Sequence, residues 1–195
     1  DIWRITYSRL RDGLFCVDNE RHFRNCMNIF IKYTRKYGDS YGLPFACQLP
    51  DMDISSVSFQ FGFVGQQPGI GNLLLRYGER ENMPEAREKG IGILEFWVKK
   101  SMTQSGLPQM CYNPSLQGFE PYPHYVRMLA DGMEAILDAY VYLHKRKEEK
   151  QNWLEFCIKK RAFRGKCPGN GQNLRIRSRR TRLRIDEDIK EKRSP

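Results

Sequence analysis

Arg127, Asp131, Glu134 and Asp138 recur at i, i+4, i+7 and i+11, a spacing that sets charged side chains along one narrow stripe of an otherwise apolar helix. Two carboxyl groups in unequal surroundings can divide the work of proton donor and proton acceptor, one held protonated and the other ionised. Asp131 is the best candidate for that acid or base role, and Glu134 stands one turn on, with Cβ atoms about 5–6 Å apart. Acid and base commonly come from different segments, so Asp51 or Asp53 in an earlier loop is an alternative partner for Asp131. The same stripe also suits a solvated helix face carrying an Arg127–Asp131 ion pair, and both readings stay open.

The loop leading into this helix supplies Tyr112, Asn113, Phe119, Tyr122, His124 and Tyr125, a mixture of flat apolar faces and hydrogen-bonding tips. Aromatics interleaved with prolines also pin long loops, and His124 near a helix start can serve as a cap or as a base. Upstream, GFVGQQPGIG is rich in glycine but lacks the GK[ST] ending of a phosphate-binding loop. Its glycines suit a close backbone approach at a helix entry, with Gln66 and Gln67 presented to a cavity. No GxSxG motif or Ser-His-Asp order occurs. The six cysteines form no CxxC pair and have no histidine at zinc-ligand spacing, so buried free thiols are expected, with no metal and no cofactor.

Helical spacing dictates what positions these residues. Trp3, Tyr7, Leu10 and Leu14, then Phe23, Cys26, Met27, Phe30 and Tyr33, mark a first helix pair, with Asp18 placed to cap its second member and Gly38 to end it. Residues 38–56 read as a long loop, and the alternation of Val57, Phe59, Phe61 and Phe63 is compatible with a short strand. GNLLLRYGE predicts a helix ended by Gly78, and Pro84 opens another that runs to about Met102. Residues 105–123 read as a second loop. The strongest helix covers about 124–145 and is followed, after a charged turn, by Trp153, Phe156 and Cys157. Stacked pairs of this kind imply an all-α array.

The net charge of +10 is confined to the end of the chain: residues 1–157 balance 19 Lys and Arg against 19 Asp and Glu, whereas 158–195 carry 14 against 4. The chain therefore divides into a helical body, 1–157, and a basic tail, 158–195. The tail's low hydrophobicity and high charge predict disorder or marginal structure. RIRSRRTRLRI has no aromatics to stack on bases, so nucleic-acid binding is not expected beyond a nonspecific backbone attraction. The abrupt break after WLEFCIKK is what an out-of-frame end would produce. No apolar run approaches the roughly 18–20 residues that span a bilayer, so no membrane partner is expected. The sequence begins at Asp1 with no leader-like segment and reads as a fragment or processed chain.

GFVGQQPGIGNLLLRYGE, EAREKGIGILEFWVKKSMTQSGLPQ and YPHYVRMLADGMEAILDAYVYLHKRKEEKQNWLEFC resemble the six-hairpin, α/α-toroid glycosidase-like proteins of bacteria. The resemblance covers about residues 1–157, roughly half of a toroid, so it implies an incomplete array of about three helix pairs with the remaining hairpins missing. It further implies an oligo- or polysaccharide ligand, a glycoside-hydrolase-like activity by carboxylate acid/base chemistry, and inner helices that face a sugar site. On that footing Asp131 and Glu134 are the catalytic candidates, and Tyr112, Asn113, Tyr122, His124, Arg127 and Gln66 are the substrate-binding ones. Whether such a piece acts alone is left open, and the alternatives are a noncatalytic helical scaffold or nonspecific nucleic-acid binding through the tail.

Overall fold

A computed structural model describes residues 2, 4–6, 18–44, 46–48, 53–56, 58–63 and 66–158. All of them fall in the first of the two compact units into which the chain divides, Asp1–Arg164 and Gly165–Pro195. The basic tail expected to be disordered lies outside the described residues apart from Ile158. The first expected helix also lies largely outside them, with residues 2 and 4–6 helical.

Helix α1, Asn19–Tyr33, starts where Asp18 accepts a hydrogen bond from the Arg21 backbone nitrogen at 3.0 Å, satisfying one of the unpaired donors of a first turn. It buries Met27 and Ile31 and then stops at Thr34, well before Gly38. Strands β1, Arg35–Tyr37, and β2, Ser40–Gly42, follow as an antiparallel hairpin with Tyr37 paired to Ser40. Gly38 therefore does not end a helix. It takes the left-handed conformation, φ +58, that a two-residue hairpin asks of its first central residue.

Strands β3, Ala46–Gln48, and β4, Asp53–Ser56, pair antiparallel with a register irregularity. Strand β5, Phe59–Gln60, joins a hairpin made much later in the chain by β6, Cys111–Asn113, and β7, Gly118–Glu120, in the order β5-β6-β7. The all-α expectation, and with it the incomplete toroid, is thereby overturned: among the described residues seven short strands form three small antiparallel sheets between the helices. The cause is backbone accounting. Buried backbone must pair its N–H and C=O groups, and described parts of the two segments read as loops do so in short ladders, Ser40–Gly42 with β1 and Cys111–Asn113 with β7.

Helices α2, Gln67–Arg80, and α3, Pro84–Lys100, form an antiparallel pair joined by a turn in which Asn82 has φ +53. Pro84 occupies the first turn of α3, where its missing N–H costs nothing. Gly78 lies inside α2 and does not terminate it. A Cβ there would run into the Arg87 backbone, and one on Gly90 would stand 2.5 Å from the Leu75 nitrogen, so glycine is what lets the two helices approach.

Helix α4, Val126–His144, buries Met128, Ile136, Ala139 and Leu143, and α5, Gln151–Ile158, adds Trp153 and Phe156. Leu74, Leu75, Ile93, Leu94 and Trp97 complete the core, together with Phe59 and Phe61 from the β5 segment. Trp97 meets Phe61 edge to face at 5.3 Å. Glu79, itself half-buried, accepts from the Tyr142 hydroxyl at 2.8 Å and pairs with Arg87 at 3.2 Å and Arg146 at 2.8 Å, tying α2, α3 and the end of α4 together.

Candidate functional site

The last turns of α3 and the tips of two hairpins border an open cavity of about 480 Å³, within the range typical of small-ligand sites. Its walls are aromatic: Tyr37 from β1, Phe96 from α3, and Tyr112 and Phe119 from β6 and β7. The rings hold one another. Phe96 meets Tyr112 edge to face at 4.7 Å and stacks on Phe119 at 6.1 Å, and Tyr112 meets Phe119 at 5.0 Å. Behind them the buried Phe59 contacts Tyr37 at 5.4 Å and Tyr112 at 6.1 Å. Rings packed on several sides lose little further freedom when a ligand arrives.

Polar groups edge this apolar wall. Asp39, Lys100 and Gln117 are exposed cavity-lining residues, and among the described residues none of the three has a side-chain hydrogen bond or ion pair. Their positions follow from the elements that carry them: Asp39 is the second residue of the β1–β2 turn, Lys100 is the last residue of α3, and Gln117 closes the β6–β7 turn. The cavity is thus lined by aromatic side chains, of which Phe96 and Tyr112 are largely buried, with a carboxylate, an ammonium and an amide among its exposed residues. Among the described residues no cluster of His, Cys, Asp and Glu could hold a metal ion.

Tyr112, one of the residues proposed from sequence, lines this cavity. Asn113, its neighbour, is committed elsewhere: its Oδ1 accepts from the Ser115 and Leu116 nitrogens at 3.0 and 3.3 Å, and its Nδ2 donates to Glu120 at 2.8 Å. Both ends of the amide shape the hairpin. Gln66 is exposed and precedes α2, whereas Gln67 is buried and bonded to both backbone groups of Leu43.

A separate surface forms where α4 begins. Arg127 lies 4.9 Å from the centre of the Phe63 ring and its Nε is 3.7 Å from Asp131 Oδ2, so the ion pair foreseen on this stripe is present, though long. That Asp131 oxygen is buried and without a hydrogen bond. Tyr122 and Tyr125, both exposed, meet edge to face at 6.2 Å nearby in sequence, and His124 is exposed. His124 does not cap the helix, since the N-cap is Tyr125 with no side-chain bond. Glu134 is exposed, and the Asp138 carbonyl accepts from Arg76 at 3.2 Å. Asp51 and the side chain of Asp53 lie outside the described residues.

Protein-family models, curated proteins and solved structures give no match to this chain. Tyr37, Asp39, Phe96, Lys100 and Gln117 were missed in the sequence, where Gly38 reads as a helix stop. The available signal was the pair Gly38–Asp39 between short aromatic segments, which is a two-residue hairpin turn.

Proposed function

We propose that this chain binds a saccharide in the cavity framed by Tyr37, Phe96, Tyr112 and Phe119. The observation that carries the reading is the pairing of a preorganised aromatic wall with the uncommitted side chains of Asp39, Lys100 and Gln117. A sugar ring has an apolar face of C–H groups and a periphery of hydroxyls, so it calls for flat apolar surface on one side and donors and acceptors at the edge.

Binding is the reading, with hydrolysis second. One carboxylate, Asp39, lines the cavity, whereas glycoside cleavage by paired carboxyl groups needs two, roughly 5–9.5 Å apart according to mechanism. A second reading, acid/base chemistry at Asp131, is favoured by its buried Oδ2, which accepts no hydrogen bond and has the Arg127 guanidinium 3.7 Å away.

Calorimetric titration with soluble cello-, xylo-, manno- and chito-oligosaccharides tests the proposal. Wild type should bind one of these classes, and Lys100→Ala and Asp39→Ala, both changes to exposed residues, should each weaken it by about tenfold, the worth of one charge-assisted hydrogen bond. Binding that neither variant alters would place the saccharide elsewhere. Cleavage of the bound oligosaccharide, lost in Asp131→Asn, would bring the second reading forward.

A further inference from the structure

Gln117 stands at φ +49, in the left-handed region where a side chain with a Cβ is strained. The turn it closes is held by its own backbone nitrogen, which donates to Pro114 O at 3.3 Å. At the left-handed position of such hairpins Gly or Asn is the usual occupant. Gly118 is the next residue in the chain, so the glycine sits one place away from where the backbone asks for it. The strain is not repaid by packing: the glutamine side chain is exposed.

The amide instead points to the other hairpin. Gln117 Nε2 lies 3.7 Å from where a Cβ on Gly38 would stand, so the two hairpin tips face each other at the edge of the cavity that both line. A Cβ at position 38 would meet that amide at ordinary contact distance, so it is the left-handed φ of +58 that favours glycine there. Backbone strain retained at a residue that lines a cavity, with its polar group uncommitted, is the pattern of a ligand clamp.

We infer that Gln117 is a ligand-contacting residue that sets the orientation of the sugar in the cavity, its strained backbone holding the amide at the mouth. The amide carbonyl accepts from one ring hydroxyl while the NH2 group donates to its neighbour, a match between a planar donor–acceptor pair and adjacent hydroxyls that each do both. The inference rests on the saccharide reading above and adds to it the group that fixes ring orientation.

Two substitutions separate the amide from the backbone. Gln117→Ala removes the amide and keeps the strained Cβ, and Gln117→Gly removes both. With the oligosaccharide that wild type binds, both variants should lose affinity by about five- to tenfold. Gln117→Gly should melt at the wild-type temperature or about 2–4 °C above it, and Gln117→Ala should show no such gain. Unchanged affinity in both variants while wild type binds overturns the role of Gln117 alone, as does a lower melting temperature for Gln117→Gly. Failure of wild type to bind any of the oligosaccharides removes the saccharide reading and this inference with it.

Discussion

Gln67 and Leu43 exchange two hydrogen bonds: the Leu43 nitrogen donates to Gln67 Oε1 at 2.9 Å and Gln67 Nε2 donates to the Leu43 carbonyl at 2.7 Å. The glutamine side chain thus acts as a one-residue strand, pairing the chain as it leaves β2 with the first turn of α2. Since β2 belongs to the hairpin that carries Asp39, this amide helps fix one wall of the cavity.

Replacing Gln67 by Leu should therefore cost about 2–4 kcal/mol in urea unfolding, because both Leu43 backbone groups lose their partners in a largely buried place. An exposed glutamine such as Gln66, changed in the same way, should shift stability by less than about 0.5 kcal/mol.

Gly90→Ala should destabilise the α2–α3 pair although alanine is the better helix former. The new methyl would stand 2.5 Å from the Leu75 nitrogen and 2.6 Å from the Gly71 oxygen, and backbone cannot move aside as a side-chain tip can. A loss of about 1–3 kcal/mol is the expected cost of such overpacking, read as a fall in melting temperature. A neutral result would mean that the helices separate without penalty.

Glu95 has a lowered pKa: burial pushes it up, but hydrogen bonds and charge from Lys99 and Lys150 more than reverse that. It accepts from Lys150 at 2.9 Å and Trp153 Nε1 at 3.1 Å, joining α3 to the start of α5. Its folded pKa lies below the unfolded value near 4.5, so its stabilising contribution is complete above that pH and is lost as pH falls through the folded value. The stability gap between wild type and Glu95→Gln should be about 2 kcal/mol at neutral pH and should close progressively below pH 4.5. A gap that stays constant from pH 7 to pH 3 would assign the loss to packing.

Cys111 carries a thiol pushed up to about 11, first by burial and then by the Glu120 carboxylate beside it. The thiolate is the reactive form, so at pH 8 a disulfide reagent should leave Cys111 unmodified in the folded protein while labelling the half-buried Cys26. Peptide mapping after brief labelling reads this directly. Rapid modification of Cys111 would mean that the β6–β7 hairpin opens readily.

The parts of the fold legible in the sequence were those whose signals are local. Asp18 at the start of α1, Pro84 in the first turn of α3, and the apolar spacing from Val126 to Leu143 each announce a helix within a few residues. Apart from the alternation around Phe59, where β5 lies, the strands escaped notice because they are two to four residues long, too short for alternation to stand out from chance. Gly78 misled for a different reason. Glycine inside a helix makes sense only once the neighbouring helix is known, and Arg87 on α3 is that neighbour. The Arg127–Asp131 pair was readable because one helix contains it. The cavity was not, since Asp39, Lys100 and Gln117 are brought together by tertiary structure alone.

The scattered origin of that cavity gives ligand binding a second meaning. Its walls come from segments near residues 37–40, 96–100 and 112–119, none of which forms any part of a pocket in the extended chain. A molecule that fits there recognises folded chain and ignores unfolded chain, so by mass action it raises stability by RT ln(1 + [L]/Kd), about 2.7 kcal/mol at a hundredfold excess over Kd. Resistance to protease would then rise with ligand concentration, making occupancy and chain lifetime two readings of one equilibrium.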